Sequence, residues 1–104
     1  MKELHFIDSA RIDLASFPEA ARREAGNELW QVQLGFMPSD WKPMPSIGAG
    51  AMEIRIHVGG AWRVIYVAKF KDVVHVLHAF QKKTQKTSPA DIELATRRYR
   101  KIGG

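Results

Sequence analysis

The sequence of 104 residues contains no cysteine, which excludes disulfide bonds and metal sites built from thiolates. It also lacks any apolar run close to the roughly 18 residues of a membrane span, and charged residues interrupt the N-terminal stretch MKELHFIDSARIDL too early for a signal peptide. We therefore expect a cytoplasmic protein without a membrane partner. The length suits a single domain over residues 1–104.

An excess of basic over acidic residues is confined to the last quarter of the chain. Residues 1–80 carry nine basic and nine acidic side chains, so the net charge of +5 arises from residues 81–104. The basic side chains there are Lys82, Lys83, Lys86, Arg97, Arg98, Arg100 and Lys101. A local excess of this kind favours a polyanionic or acidic partner, although a solvated basic helix would give the same composition.

Several common catalytic patterns are also missing. His75 and His78 lie three residues apart in a predicted strand, so we expect them to point to opposite faces and not to share a metal ion. No serine has a nearby histidine and aspartate, and no paired carboxylates suggest glycosidase chemistry. Gly48-Ala49-Gly50 lacks the preceding strand and the following helix of a phosphate-binding loop. We therefore expect neither a metal nor a cofactor.

The region from Met52 to Thr87 contains three runs rich in β-branched and aromatic residues, which predicts an antiparallel meander. The Gly59-Gly60 turn allows two registers. A two-residue loop would place Arg63 among core isoleucines, at a cost of several kcal/mol. A three-residue loop, Gly59–Ala61, would instead pair Val58 with Trp62 and keep the arginines on the polar face, so we favour it.

A two-residue turn at Lys71-Asp72 would then pair Ile65 with His78 and Arg63 with Phe80. With these pairs, Arg55, Arg63, His78 and Lys82 lie on the same side of the sheet. On the other side we expect Ile54, Ile56, Trp62, Val64 and Tyr66 to form an apolar face.

The remaining segments predict an α+β fold. We expect a short strand at residues 3–7, a helix from Asp8 or Ser9 to Phe17, and an amphipathic helix from Pro18 to about Leu34. Prolines and glycines make most of residues 36–50 irregular. Ser88 and Pro89 should begin a third helix. Its apolar packing stripe consists of Ile92, Ala95, Tyr99 and Ile102, and Gly103 and Gly104 should fray. The first two helices should pack on the apolar face of a small antiparallel sheet.

The predicted cationic face consists of Arg55, Arg63, Lys82 and Lys83, with Lys86 nearby. Such a surface can bind phosphates and stabilise charge that develops on phosphorus. His78 could act as a general acid or base because its ordinary pKa lies near 6.5, but a structural histidine is an equally good interpretation. Tyr99 could stack on a base, although its apolar stripe favours core packing.

The segments MEIRI, GGAWRVIYV, VLHAFQKKTQKT and PADIELATRRY, following two helices, resemble the phage-derived Gp49-like proteins, which are HigB-type toxins of the RelE/ParE superfamily. LHAFQKKTQKTSPADIELA is the most specific part. The resemblance implies a RelE-like fold and the toxin of a type II toxin–antitoxin pair, whose partner is a helix-turn-helix antitoxin of the HigA type. RelE-like toxins cleave mRNA, usually on the ribosome, by driving the 2′-hydroxyl against the adjacent phosphate.

The resemblance also suggests roles for individual residues. By position it implies catalytic roles for Arg55, Arg63, Lys82 and Lys83, and only Tyr99 matches the tyrosine or histidine that the family often carries near the C-terminus. With His78 these residues form the predicted catalytic set, and Lys86, Arg97, Arg98, Arg100 and Lys101 form the predicted RNA-binding set. The alternative is a ParE-like toxin that inhibits DNA gyrase or another topoisomerase without chemistry of its own.

Overall fold

A computed structural model describes residues 1–102, so the expected fraying of Gly103 and Gly104 lies outside the described residues. In chain order the elements are β1 (Glu3–Phe6), α1 (Ala10–Ala15), α2 (Glu19–Gln33), β2 (Trp41–Pro43), β3 (Ala51–His57), β4 (Ala61–Val67), β5 (Val73–Gln81) and α3 (Pro89–Tyr99). They form an α+β fold, as predicted. Among these elements, no helix combines the length and the apolar character that crossing a bilayer requires.

The sheet is mixed and larger than the sequence predicts. Its five strands have the order β1-β5-β4-β3-β2. β1 runs parallel to β5, and β2 runs antiparallel to β3. The prediction of a purely antiparallel sheet is therefore wrong, and β2 lies in the stretch expected to be irregular. Pro43 is tolerated there because β2 is an edge strand, where a missing N–H costs no ladder hydrogen bond.

The register between β3 and β4 differs from the prediction by two residues. Trp62 lies opposite Ile56 rather than Val58, and Arg55 lies directly opposite Arg63. The three-residue loop is therefore 58–60, with both glycines at positive φ, 62° and 135°. Because side chains alternate with a period of two, a shift by two residues leaves every side chain on its predicted face. The separation of the two arginines from Ile56 and Trp62 is confirmed.

A β-bulge sets the register between β4 and β5. The predicted pairs of Ile65 with His78 and Arg63 with Phe80 are confirmed, but the connection spans residues 68–72 instead of two residues. The register shifts between Ile65 and Tyr66, which leaves Leu77 as the extra residue of β5. The expectation that His75 and His78 point to opposite faces is therefore wrong. The bulge turns both to the same face of the sheet, where His75 pairs with Val67 and His78 pairs with Ile65.

Each face of the sheet supports its own core. The helices α1 and α2 pack on one face, where Leu29 contacts a cluster that includes Ile54, Val64 and Tyr66. This arrangement confirms the predicted helix pair. On the other face α3 packs through Ala95 against residues of β4 and β5, with Ile92, Tyr99 and Ile102 around it. Ser88 caps α3 by accepting a hydrogen bond from the Asp91 amide, and Pro89 follows it, as predicted.

Candidate functional site

A buried carboxylate lies at the centre of the predicted cationic face. Glu53 of β3 is only 1% exposed, and its Oε1 lies 3.6 Å from Arg63 Nε and 4.0 Å from Arg55 Nε. Its other oxygen, Oε2, accepts a hydrogen bond of 2.6 Å from Thr87 Oγ1. Glu53 therefore joins the arginines of the sheet to the segment that precedes α3.

The strand register explains why the two arginines need this carboxylate. Arg55 and Arg63 are directly opposite each other on neighbouring antiparallel strands, and like charges in that position repel. Glu53 precedes Arg55 by two residues and so shares its face. A second carboxylate, Asp40, lies 4.0 Å from Arg55 and also contacts His57 at 3.1 Å. The two carboxylates together keep the arginines side by side.

Arg63 is nearly enclosed by the protein. It is 4% exposed, and its Nη1 donates a hydrogen bond of 2.9 Å to the carbonyl of Trp62. Burial lowers the pKa of Arg63; Glu53 opposes this shift and Arg55 adds to it. The guanidinium nevertheless stays charged, because an arginine does not lose its proton in proteins. A fixed cation shielded from water interacts more strongly with an anion than a solvated one does.

Lys82 follows β5 and faces the same cluster. Burial lowers the pKa of Lys82, the positive charge of Arg63 lowers it further, and Arg55 and Lys42 add smaller effects that Glu53 opposes. Its backbone N–H donates to the carbonyl of Ala61, which fixes the end of the strand. Lys82 therefore releases its proton more readily than an ordinary lysine.

Lys42 is a residue that the sequence analysis missed. It lies in β2 directly opposite Glu53, which places it on the face of the arginines. We call Lys42, Arg55, Arg63 and Lys82 the basic cluster. The only signal in the sequence was Lys42 itself, between Trp41 and Pro43, because its strand was not predicted. Glu53 carried a better signal, since the alternation places it on the face of the two arginines, two residues before Arg55.

His78 lies on the face of the basic cluster but is engaged inside the protein. It is 5% exposed, its Nε2 lies 2.7 Å from Asp91 Oδ1, and its ring stacks on Phe80 with centroids 4.6 Å apart. Asp91 also accepts a hydrogen bond from Ser88 Oγ at 2.7 Å. These contacts attach the first turn of α3 to β5, which fits the structural interpretation of this histidine.

Tyr99 is at the opposite end of α3. It lies two helical turns beyond Asp91, roughly 12 Å along the helix axis. Its hydroxyl donates a hydrogen bond of 2.7 Å to the carbonyl of Ala49 and accepts one of 3.1 Å from Lys69 Nζ. The ring also covers Gly48, where a Cβ would come within 2.4 Å of it. The structure does not bring Tyr99 to the basic cluster.

Two basic residues at the C-terminal end of α3 also have partners within the chain, Arg98 inside the protein and Lys101 at its surface. Arg98 is 5% exposed, and it donates hydrogen bonds to the carbonyl of Leu77 at 2.9 Å and to Ser9 Oγ at 2.7 Å. Lys101 Nζ pairs with Asp8 at 2.6 Å, and this pairing lowers the pKa of Asp8. Arg98 and Lys101 thus connect α3 to the start of α1 instead of forming an open basic surface.

Like Lys101, the remaining residues of the predicted RNA-binding set and Lys83 are exposed. They are Lys83, Lys86, Arg97 and Arg100. Lys83 and Lys86 belong to the segment between β5 and α3, which Thr87 attaches to Glu53. Arg97 lies in the last turn of α3 and Arg100 directly follows the helix, both at the end that carries Tyr99. The site is therefore built from β2, β3, β4 and the segment after β5, and the end of α3 contributes to a separate surface.

Comparison with known proteins agrees with this geometry at the level of the family. A family model described as phage-derived protein Gp49-like matches residues 12–100. The chain belongs to this family. The Gp49-like proteins are a family of the RelE/HigB toxin type, and the match, which runs from within α1 to the end of α3, includes the strands that carry the basic cluster. No curated protein matches this Gp49-like chain significantly.

Proposed function

We propose that this Gp49-like protein is the toxin of a type II toxin–antitoxin pair and that it is an endoribonuclease. The proposed substrate is mRNA on the ribosome, and the proposed partner is a helix-turn-helix antitoxin of the HigA type. The observation that carries the proposal is the basic cluster, in which two opposed arginines and two lysines share one face with a single buried carboxylate. Guanidinium groups bind phosphate oxygens in pairs and stabilise additional charge on them.

The proposed reaction is attack of a 2′-hydroxyl on the adjacent phosphate. The new bond joins the 2′-oxygen to phosphorus, the bond to the 5′-oxygen of the next nucleotide breaks, and a 2′,3′-cyclic phosphate and a 5′-hydroxyl result. This chemistry needs a group that accepts the 2′-proton, cations that stabilise the phosphorane, and a donor for the leaving oxygen. The residues of this chain can be assigned to the three tasks.

We assign Lys82 as the base, because its lowered pKa increases the fraction of neutral amine that can accept a proton. We assign Arg63 to the phosphorane. Its contacts with Glu53 and the Trp62 carbonyl fix it before substrate arrives, so little reorganisation is needed as charge develops. Lys83, exposed and next in the chain, is assigned to protonate the leaving oxygen. Glu53 is a positioning residue, since its own oxygens are enclosed.

A second function has one observation in its favour. His78 and Tyr99, the two residues that the sequence offered as further proton donors or acceptors, both have partners inside the protein. A toxin that binds its target through the basic cluster without chemistry would need neither. The alternative is therefore a ParE-like inhibitor of DNA gyrase or another topoisomerase.

The test combines cleavage with binding. Purified protein is added to ribosomes programmed with mRNA, and cuts are mapped and timed. We expect Arg63→Ala to lower the cleavage rate by about 10²-fold or more, with a much smaller change in binding to the programmed ribosome. Lys83→Ala should act in the same direction without a stability cost, because Lys83 is exposed. The matched control is Lys71→Ala, an exposed lysine in the connection before β5.

Two outcomes would contradict this proposal, the first its assignment of Arg63 and the second the nuclease itself. One is a folded Arg63→Ala protein, with the melting temperature of the wild type, that cleaves at the wild-type rate. The other is a wild-type protein that leaves mRNA intact while its induction in growing cells damages DNA, which would support the ParE-like alternative.

A further inference from the structure

An open groove of about 380 Å³ lies beside the basic cluster. It is lined by Lys42 and Pro43 of β2 and by Lys86 and Thr87 of the segment before α3. Met44, 5% exposed, contributes to the apolar lining between them. No residue that the functional assignment uses, apart from the cluster lysine Lys42, lines this groove.

We propose that the groove binds a nucleotide next to the scissile phosphate of a single-stranded RNA. This inference rests on the proposed function and extends it from the reacting phosphate to a neighbouring nucleotide. It gives Lys42 and Lys86 the role of binding the RNA backbone. It gives the apolar lining the role of contacting the base.

Charge is the first argument. Lys42 and Lys86 are exposed and line the groove from two different segments of the chain, so both ammonium groups are available to a phosphate that enters it. Among the described residues that line the groove, none is acidic. A positively charged groove that follows the backbone is the common feature of proteins that bind single-stranded nucleic acids.

Continuity with the basic cluster is the second argument. Thr87 lines the groove and also donates its hydroxyl hydrogen bond to Glu53, which holds the arginines. Lys42 lies opposite Glu53 on the neighbouring strand. It is also close enough to Lys82 to lower the pKa of that lysine. A strand with one phosphate at the arginines would therefore lead directly into the groove.

The lining is the third argument. Besides Met44, the side chains of Pro43, Pro45 and Ile92 offer apolar surface on which the face of a base can lie. The hydroxyl of Ser46 is available for a hydrogen bond with a base edge. A volume of about 380 Å³ lies within the range of about 300–1,000 Å³ that is typical of small-ligand sites. The combination of backbone cations and an apolar platform suits one nucleotide.

The experiment uses the full chain and a fluorescein-labelled, 2′-O-methyl RNA oligonucleotide of mixed sequence. This probe cannot be cleaved because it has no free 2′-hydroxyl. Anisotropy gives the affinity at a series of salt concentrations for the wild type, Lys42→Ala and Lys86→Ala. Each substitution should weaken binding and reduce the slope of log affinity against log salt by about 0.7. The control Lys71→Ala should change neither quantity.

Cross-linking tests the lining independently of charge. A 4-thiouridine in the same oligonucleotide should cross-link to the segments 42–46 or 86–92, and Lys42→Ala should reduce the yield. If Lys42→Ala and Lys86→Ala match Lys71→Ala in affinity and slope, the inference is overturned. It is equally overturned if these variants bind the oligonucleotide normally and lose only the binding of a protein partner. A wild type that binds through the groove but never cleaves mRNA supports the groove and refutes the nuclease.

Discussion

Replacing Arg98 with alanine should destabilise the fold far more than it weakens RNA binding. The guanidinium makes two short hydrogen bonds, to the carbonyl of Leu77 and to Ser9 Oγ, in a place where the residue is 5% exposed. A hydrogen bond to a charged group contributes about 1.5–3 kcal/mol, and removing one partner of a buried network leaves the others unpaired. We expect a loss of about 3–4 kcal/mol in the free energy of unfolding.

For a domain of this size, such a loss corresponds to a fall of about 15–20 °C in melting temperature. Urea unfolding should give a lower midpoint with an unchanged m-value. The matched control is Arg97→Ala, which removes an exposed arginine at the preceding position and should change stability by about 0.5 kcal/mol at most. If Arg98→Ala unfolds at the same urea concentration as Arg97→Ala and binds RNA less well, the structural role assigned to Arg98 is refuted.

Three further predictions concern the assigned base, Tyr99 and Gly48. Because only the neutral amine of Lys82 can accept a proton, the cleavage rate should rise with pH and level off above the lowered pKa of Lys82. Lys82→Arg should remove this rise. A wild-type cleavage rate that is flat between about pH 6 and 9 would contradict the assignment. Tyr99→Phe should cleave at the wild-type rate and lose about 1 kcal/mol in the free energy of unfolding, because it loses the hydrogen bond to Ala49. Gly48→Ala should lower the free energy of unfolding by about 1–3 kcal/mol, because the added Cβ would displace the Tyr99 ring. A large loss of rate in a stable Tyr99→Phe protein would return this tyrosine to the mechanism.

The faces of the central strands could be predicted from the sequence, because alternation with a period of two survives errors in loop length. The β3–β4 loop illustrates this point. Moving it from residues 59–61 to 58–60 changes the β3 partner of Trp62 from Val58 to Ile56 but leaves every side chain on its face. The turn glycines allow either loop, so the local sequence could not choose between them.

The outer strands could not be predicted for a different reason. β2 has only three residues, one of them Pro43, and it exists because β3 offers an unpaired edge. The direction of β1 depends on where α1 and α2 return the chain. Both features are tertiary, and missing β2 removed Lys42 from the predicted site.

The buried role of Arg98 could have been predicted from its position in α3, but the sequence analysis counted this residue only as one of the basic charges. Arg98 follows Ala95 by three residues and precedes Ile102 by four, so it occupies the packing stripe of α3. Its burial depends on the bulge of β5, which leaves Leu77 without a place in the β4–β5 register and frees its carbonyl for the guanidinium. An arginine in an apolar stripe thus predicts a carbonyl or carboxylate partner beneath it, and here an unforeseen bulge supplies the carbonyl.

The charge balance of the basic cluster explains why these residues suit a polyanion. Its four cations face the carboxylates of Glu53 and Asp40, so a formal charge of +2 remains uncompensated. Desolvated like charges oppose folding, and an anion that binds only the folded protein relieves this repulsion. One phosphodiester carries a single negative charge and would leave half of the excess. Two successive phosphates, one at the arginines and one at Lys42, would neutralise the cluster, which is the arrangement that a strand running from the site into the groove would produce.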